Sequence, residues 1–490
     1  MEIQVLPLII VAAYLVGMLI VGFVVGKLKI KNSKDYMVAG RRMGLFMVAF
    51  SLSANNIGAG CTTGVAQKAF GDWGLSAMWY VLACSIAMIP LAYFAPKIRK
   101  TLAITIPEVV GRRFGKLSSN FTAILSVFSL FCLTSSQIAA SGSVISALIP
   151  SIPFNVCLVF AGIVIILYTT FGGMIADQIS DLVQFIIILV GLAIATPFVL
   201  NHAGGWEAIS AKLPDVKLDF TAIGWASIIG YIFQYICTFL VGPEMVTRFE
   251  TAKDEKTARN ASLLSAVLMA AMSIFPTLLG LAAFALQDQL PGVNGGNAMM
   301  MVTGHYAPGF ITGLVSAAII CATMSSADSN LLCMSTMIMN DLYKGFGGKK
   351  ELTEKQIIFW TRFCNVIGAV IAILIQLLGI APSIIALNTF AFGIRCAGPF
   401  SAYALGLVVP KATKNSGLIS IITGTIGFLV WNWVGNSVIL MPVVFGCLIS
   451  VITFFVVNWI EWARGVEPAP SAYLSAEEEV AVLAKEAQEM

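Results

Sequence analysis

The sequence predicts an all-α protein that crosses a membrane about 13 times. Three observations carry that expectation. Of the 490 residues, 58% are hydrophobic and only 11% charged, with a mean hydropathy of +0.90, which leaves too few polar side chains to solvate the surface of a water-soluble domain. Apolar runs of about 20 residues recur along the chain, each long enough to cross a hydrocarbon core as a helix. Basic residues gather in alternate connections between those runs, the bias that orients helices in a membrane.

The runs cover 5–26, 43–69, 73–96, 118–149, 154–171, 178–200, 221–247, 260–287, 308–341, 356–379, 382–409, 415–433 and 438–461, hereafter spans 1 to 13. Span 1 has no basic residue before it and is followed by Lys27, Lys29 and Lys31, so it reads as a retained anchor rather than a signal peptide. The connections Lys27 to Arg42, Lys97 to Lys116, Arg248 to Arg259, Lys344 to Lys355 and Lys411 to Lys414 are basic, whereas those near 150, 289–307, 380 and 435 lack Lys and Arg. This places the amino terminus outside, the carboxyl terminus in the cytoplasm, and the chain in the plasma membrane (the inner membrane of a bacterium). The 201–220 connection opposes that assignment weakly, with Lys212 and Lys217 among Glu207, Asp215 and Asp219. From Arg464 onward the chain is polar and reads as a solvated tail or short amphipathic helix.

Spans 2 to 6 and 7 to 11 are two sets of five. Because five is odd, the second set enters the membrane from the side opposite the first, which is the arithmetic of an inverted repeat. The expected organisation is therefore residues 1–42 as a first helix with a basic connection, 43–410 as a ten-helix core in halves 43–200 and 221–410, 411–463 as two peripheral helices, and 464–490 as a cytoplasmic tail.

The net charge of +4 is explained by topology, and no basic stripe points to nucleic acid. The ten cysteines lie in apolar segments without CxxC spacing and read as buried thiols; His202 and His305 are isolated, against a zinc site. No nucleophile elbow, HExxH or phosphate-binding glycine loop appears, against an enzyme.

Polar residues at membrane depth mark the functional candidates. Asp328 sits in Ala322-Thr323-Met324-Ser325-Ser326-Ala327-Asp328-Ser329, and a carboxylate there costs roughly 2.5–3.5 kcal/mol on insertion unless an ion, a partner or water offsets it. Residues 322, 325, 326 and 329 share one helical face. That face suits a small hard cation, which takes oxygen ligands, or else its serines bond back to carbonyls one turn earlier. Span 2 carries Ser51-Leu52-Ser53-Ala54-Asn55-Asn56-Ile57-Gly58-Ala59-Gly60-Cys61-Thr62-Thr63-Gly64, poor helix formers that can release carbonyls toward a cavity or serve as a close packing face. Span 7 carries Gly242-Pro243-Glu244, where proline disturbs the preceding turn. Arg395 in span 11 must be paired, bound to an anion or hydrated; Asp177, Asp181 and Asp328 are its expected partners, a solute carboxylate the alternative.

In combination, Gly40-Arg41-Arg42-Met43-Gly44, Ala54-Asn55-Asn56-Ile57, Gly172-Gly173 with Asp181-Leu182-Val183-Gln184, Arg248-Phe249, and Ala322-x-x-Ser325-Ser326 running to Asp341-Leu342-Tyr343-Lys344 resemble the sodium:solute symporter family, in the same order from about residue 35 to 415. The resemblance implies a LeuT-type fold with one helix before the ten-helix core and two after it. It implies a sodium site made by the carbonyls of Ala54, Ile57 and Ala322 with the hydroxyls of Ser325 and Ser326. It also implies a possible second sodium at Asp181 with Asp328 and Ser329, although Asp328 stands where similar members have a hydroxyl. On this reading the chain imports a small organic solute by sodium-coupled alternating access, with membrane lipid around it and no obligate protein partner implied. A proton-coupled carrier of the same fold and a sodium leak are the rival readings. Polar placement near mid-depth nominates Asn55, Asn56, Thr62, Thr63, Gln67, Ser135, Gln137, Gln234, Tyr235, Thr238 and Arg395 as solute contacts.

Overall fold

The computed structural model describes residues 5–149, 151–345, 352–380, 384–434 and 441–489. The centres of the loops near 150 and 435, part of the basic connection 344–355 and the first residues expected in spans 11 and 13 fall outside them. Among the described residues, nine helices are long and apolar enough to cross a membrane, three bent helix pairs add a span each, and the shorter apolar helix Phe154–Thr170 is span 5. The nine to twelve spans, with Phe154–Thr170 at the place of one more, lie close to the expected thirteen.

The runs fold as helices because each is apolar enough to leave water and long enough to satisfy its own backbone groups once in lipid. Where small and polar residues interrupt a run, the helix breaks. Span 2 is Leu45–Asn56 plus Gly60–Phe70, bent by 59°, and span 7 is Trp225–Leu240 plus Pro243–Thr251, bent by 55°. Span 11 is also broken, at 41° between Ala397 and Ser401, a bend that was not expected although Pro399 lies in the gap. Spans 5 and 6 meet at Gly173, whose φ of +58° suits glycine; a Cβ there would also come within 2.7 Å of the Tyr36 ring.

Two sets of contacts show that spans 2 and 7 run in opposite directions. The start of span 2 is tied to the end of span 7 by Met43 N–H to Thr251 O at 3.0 Å and Lys253 N–H to Met43 O at 3.0 Å. At the other end, Lys217, just before span 7, donates Nζ to the carbonyls of Phe70 (2.8 Å) and Gly71 and lies 3.9 Å from the centre of the Phe284 ring. Lys217 thus closes the end of span 2, which gives this lysine a structural role in the connection that weakly opposed the charge pattern.

Span 9, Gly309–Leu342, is the axis of the fold: every residue from Ile311 to Met337 except Leu314 is buried. It packs on spans 1, 4 and 6. Nine of the ten cysteines are buried and Cys364 is half-buried, all as free thiols. The tail is not simply solvated. Ala469 N–H bonds Ala412 O at 2.7 Å and Tyr473 OH bonds Leu407 O at 3.1 Å, docking it beneath the span 11–12 connection ahead of a last helix, Ala476–Glu489.

Candidate functional site

The break in span 2 begins where Asn56 ends the helix and Ile57 takes φ −89°, ψ 65°, so the Ile57 carbonyl leaves the helical ladder. Span 9 crosses here. Ser325 Oγ donates toward Ala54 O at 3.0 Å and Ala322 O at 3.1 Å, while Ser326 Oγ donates toward Asn55 O at 2.8 Å and Ala322 O at 3.3 Å. Both readings of the serines are therefore realised at once: they bond back within span 9 and also reach across to span 2. The crossing is close because residue 58 is glycine; a Cβ there would sit 2.8 Å from Ser326 Oγ. Carbonyl and hydroxyl oxygens converging from two helices, without a charged side chain among them, are the donor set a hard monovalent cation takes.

Beside this crossing lies a cavity lined by Asn55, Asn56, Gln137, Tyr235, Ser326 and Asn388 among others. A second continues toward Lys68 and Trp73 past Gln234 and Tyr231, and the two share Gly60, Tyr80 and Phe392. Tyr80 stands edge-on to Tyr231 and Tyr235 at 5.8 and 5.5 Å between ring centres, an aromatic layer between the cavities.

The nominated solute contacts distribute unevenly. Asn55, Asn56, Gln137, Gln234 and Tyr235 line one cavity or the other. Thr62 and Thr63 donate back to the carbonyls of Gly58 and Ala59, both at 3.1 Å. Ser135 accepts from Gln376 Nε2 at 3.0 Å, Thr238 Oγ is buried without a partner, and Gln67 packs beside Gly295. Tyr80, Asn330, Asn388, Phe392 and Glu244 also line the first cavity and were not nominated. Asn330 could have been, since it stands one turn beyond Ser326 on the same face.

Arg395 does not pair with Asp177, Asp181 or Asp328. Its guanidinium grips Glu244 in a two-pronged pair, Nη1 to Oε2 at 2.7 Å and Nη2 to Oε1 at 2.5 Å, both groups buried. The break in span 7 sets this partner, because Glu244 follows Pro243 at the start of the second half-helix. Asp177 and Asp181 instead hold Arg248, whose Nη2 lies 3.1 Å from Asp177 Oδ2 and 2.7 Å from Asp181 Oδ2, while Nε donates to Ser51 Oγ at 2.8 Å. Ser329 bridges to Asp177 Oδ1 at 3.0 Å. Asp177, Asp181 and Asp328 each offer an oxygen within 4.8 Å of the others, and Asp181 Oδ1 and Asp328 Oδ2 are buried without a partner.

The family model described as "Sodium:solute symporter family" matches residues 36–424. The chain belongs to the sodium:solute symporter family. Its relatives include the osmoregulated proline transporter OpuE of Bacillus subtilis (strain 168), 27% identical over 481 residues that cover 94% of this chain and 95% of that one. The high-affinity proline transporter PutP of the same strain is 28% identical, covering 90% and 95%, and a sodium/proline symporter of Staphylococcus aureus (strain COL) is 25% identical, covering 92% of each. Among solved structures, a Na+-coupled sialic acid symporter in a substrate-bound outward-open state superposes with a TM-score of 0.81 at 22% identity, covering 95% of this chain and 98% of that one. Mhp1, a nucleobase-cation-symport-1 family transporter, gives 0.59 at 15%, covering 93% and 98%. These likenesses give this sodium:solute symporter the LeuT-type fold, with spans 2 and 7 as the paired broken helices. As a member of the family it is a multi-pass membrane transporter that uses sodium ion.

Proposed function

We propose that this symporter imports a small polar organic solute together with sodium by alternating access, with the ion held by the carbonyls of Ala54, Ile57 and Ala322 and the hydroxyls of Ser325 and Ser326. The observation that carries this reading is the double role of Asn55. Its carbonyl accepts from Ser326 at the ion crossing, while the same residue lines the adjoining cavity and its Oδ1 is buried without a partner. Solute that engages the Asn55 amide acts directly on the geometry of the ion's ligands, and the ion acts on the solute in return.

The membrane potential supplies the work. One charge moving through about 100 mV yields roughly 2.3 kcal/mol, equivalent to about 50-fold accumulation. Asp181, Asp328 and Ser329 form a second cation position in this reading. Two carboxylates pair with a single guanidinium there and Asp328 stands beside them, and a further positive charge, sodium or proton, offsets the excess. The solute is neutral overall or zwitterionic, because Glu244 and Arg395 neutralise each other at the first cavity and the remaining polar lining there is amide, hydroxyl and the Cys61 thiol. Proline, the solute named for the bacterial relatives, falls in that class. The basic connections face the cytoplasm, with the amino terminus outside and the organisation 1–42, 43–410, 411–463 and 464–490 as set out above.

Purified protein screened by thermal shift against amino acids and other small metabolites, in sodium and in choline at fixed pH, tests the proposal. A solute that raises the melting temperature in sodium alone is expected. Equal stabilisation in choline, with dependence on pH instead, would transfer the coupling to protons.

A further inference from the structure

Spans 7, 11 and 13 meet at three thiols that no part of the transport cycle uses. Cys237, Cys396 and Cys447 are each 1% exposed or less. Their sulfurs all lie within 4.8 Å of one another, with Cys396 Sγ and Cys447 Sγ 3.3 Å apart. Close packing of small residues brings them together. A Cβ on Gly446 would lie 2.6 Å from the Ala397 Cβ, and one on Gly424 would lie 2.0 Å from the Ala397 carbonyl oxygen, so spans 12 and 13 approach span 11 nearly backbone to backbone at the residue next to Cys396.

We propose that Cys237, Cys396 and Cys447 form a three-sulfur site for a soft monovalent metal ion, Cu(I) in particular, that ties the breaks of spans 7 and 11 to span 13. Metal–sulfur bonds of about 2.3 Å in a planar three-coordinate arrangement put the sulfurs about 4.0 Å apart, so the trio needs only sub-ångström adjustment. Soft sulfur ligands select Cu(I) over sodium, magnesium or calcium, which take oxygen. Binding is ligand exchange without redox change: Cu(I) leaves its carrier, and each sulfur that binds as thiolate releases its proton to solvent. Position gives the site its consequence. Cys237 stands one turn before the break at Val241 and Gly242, and Cys396 directly precedes the residue at which span 11 bends. An ion shared with span 13 restrains both bends.

The test uses the full chain, purified in detergent under anaerobic conditions and titrated with Cu(I) buffered by bicinchoninate. The expected result is about one Cu(I) per chain retained through gel filtration, and at least about tenfold weaker retention in Cys447→Ala, which lacks one of three ligands. A Cys61→Ala/Cys84→Ala variant keeps wild-type retention. Bound ion is also expected to slow hydrogen exchange in residues 235–250 and 390–408. No Cu(I) retained by the wild type, or equal retention by Cys447→Ala, overturns the site; binding without slowed exchange overturns the restraint. If Cys447→Ala does not purify as a single species, X-ray absorption on the wild-type complex decides: three sulfurs at about 2.3 Å support the site, and a nitrogen or oxygen shell overturns it.

Discussion

Ser326 and Asn55 join the crossing of spans 2 and 9 to the cavity: the hydroxyl of one donates to the carbonyl of the other at 2.8 Å, and both residues also line the space beside them. Span 9 is buried along nearly its whole length, so this contact cannot shift without moving either the broken end of span 2 or the central helix. A local change at Asn55 therefore becomes a movement of a half-helix, the unit that opens and closes in transporters built on discontinuous helices.

Asn55→Ala removes the side-chain amide and leaves the backbone carbonyl in place. Solute affinity is expected to fall by about 1.4 kcal/mol or more, a factor of about ten for the loss of a buried hydrogen bond. Sodium affinity without solute is expected to stay within a factor of about three, while the increase in sodium affinity caused by solute disappears, as reciprocity requires. Sodium titrations by thermal shift, with and without a saturating solute, measure both quantities. A large loss of sodium affinity in the solute-free protein would place the amide in the ion site itself.

Ser325→Ala and Ser326→Ala each remove one hydroxyl of the proposed sodium site but keep the helix. Each substitution also withdraws a donor from a buried carbonyl of span 2, at a stability cost of about 1–3 kcal/mol. The sodium concentration for half-maximal stabilisation is expected to rise at least about tenfold in each variant, a loss of about 1.4 kcal/mol, and to become unreachable in the double variant. Melting in choline separates the structural cost from the lost site, because only the site's contribution depends on sodium. Unchanged sodium dependence in the double variant would remove the proposed coordination pocket.

Much of this architecture is legible in the chain because it follows from length and composition. A run of about 20 apolar residues has one stable solution in lipid, and the Gly-rich stretch from Ile57 to Gly64 and the Gly242-Pro243 pair both mark real breaks. The bend of span 11 lies at Gly398-Pro399, the same pair of residue types. Pairings are a different matter. The repeat of a helix shows which residues share a face, but which neighbour that face meets depends on how helices distant in the chain cross. That is why Arg395 was matched with aspartates while Glu244, 151 residues away, holds it, and why the guanidinium among the aspartates belongs to Arg248. The cavity amides Asn330 and Asn388 were visible as polar residues in apolar helices, but their convergence with Gln137 required the packing of spans 4, 9 and 11.

Glu244→Gln leaves the Arg395 guanidinium buried without its counter-charge. A loss of about 3–5 kcal/mol is expected, the usual cost of breaking a buried pair from one side. Glu244→Gln combined with Arg395→Gln is expected to recover part of that loss, since both charges are gone. Denaturation of the two single variants and the double variant in detergent yields the coupling energy. If Arg395 instead held a solute carboxylate, Glu244→Gln would raise affinity for anionic solutes and leave stability unchanged.

Lys217→Met keeps the aliphatic stem and removes the ammonium that serves the carbonyls of Phe70 and Gly71. Hydrogen bonds to charged groups contribute about 1.5–3 kcal/mol, so a loss in that range is expected, with faster hydrogen exchange confined to residues 66–78 and 212–224. Glu207→Gln, in the same connection but exposed, is the comparison and is expected to stay within about 0.5 kcal/mol of wild type. Equal effects of the two would reduce Lys217 to ordinary loop charge.

Asp328→Asn tests the excess of negative charge around Arg248. With Asp177 and Asp181 already contacting the guanidinium, Asp328 is the carboxylate available to the proposed second cation, and its Oδ2 has no partner in the protein. Removing that charge while keeping its shape is expected to lower the number of sodium ions bound per chain from about two to about one, because the second cation no longer offsets a buried negative charge. Equilibrium binding of radioactive sodium at saturating solute counts the ions directly. Arg248→Gln acts with the opposite sign: it strips the aspartates of their permanent partner, and lost stability is expected to return in part as sodium is raised. If the ion count is the same in Asp328→Asn and wild type, the unpaired oxygen is satisfied by a proton, and the proton-coupled or structural reading of this carboxyl replaces the second sodium.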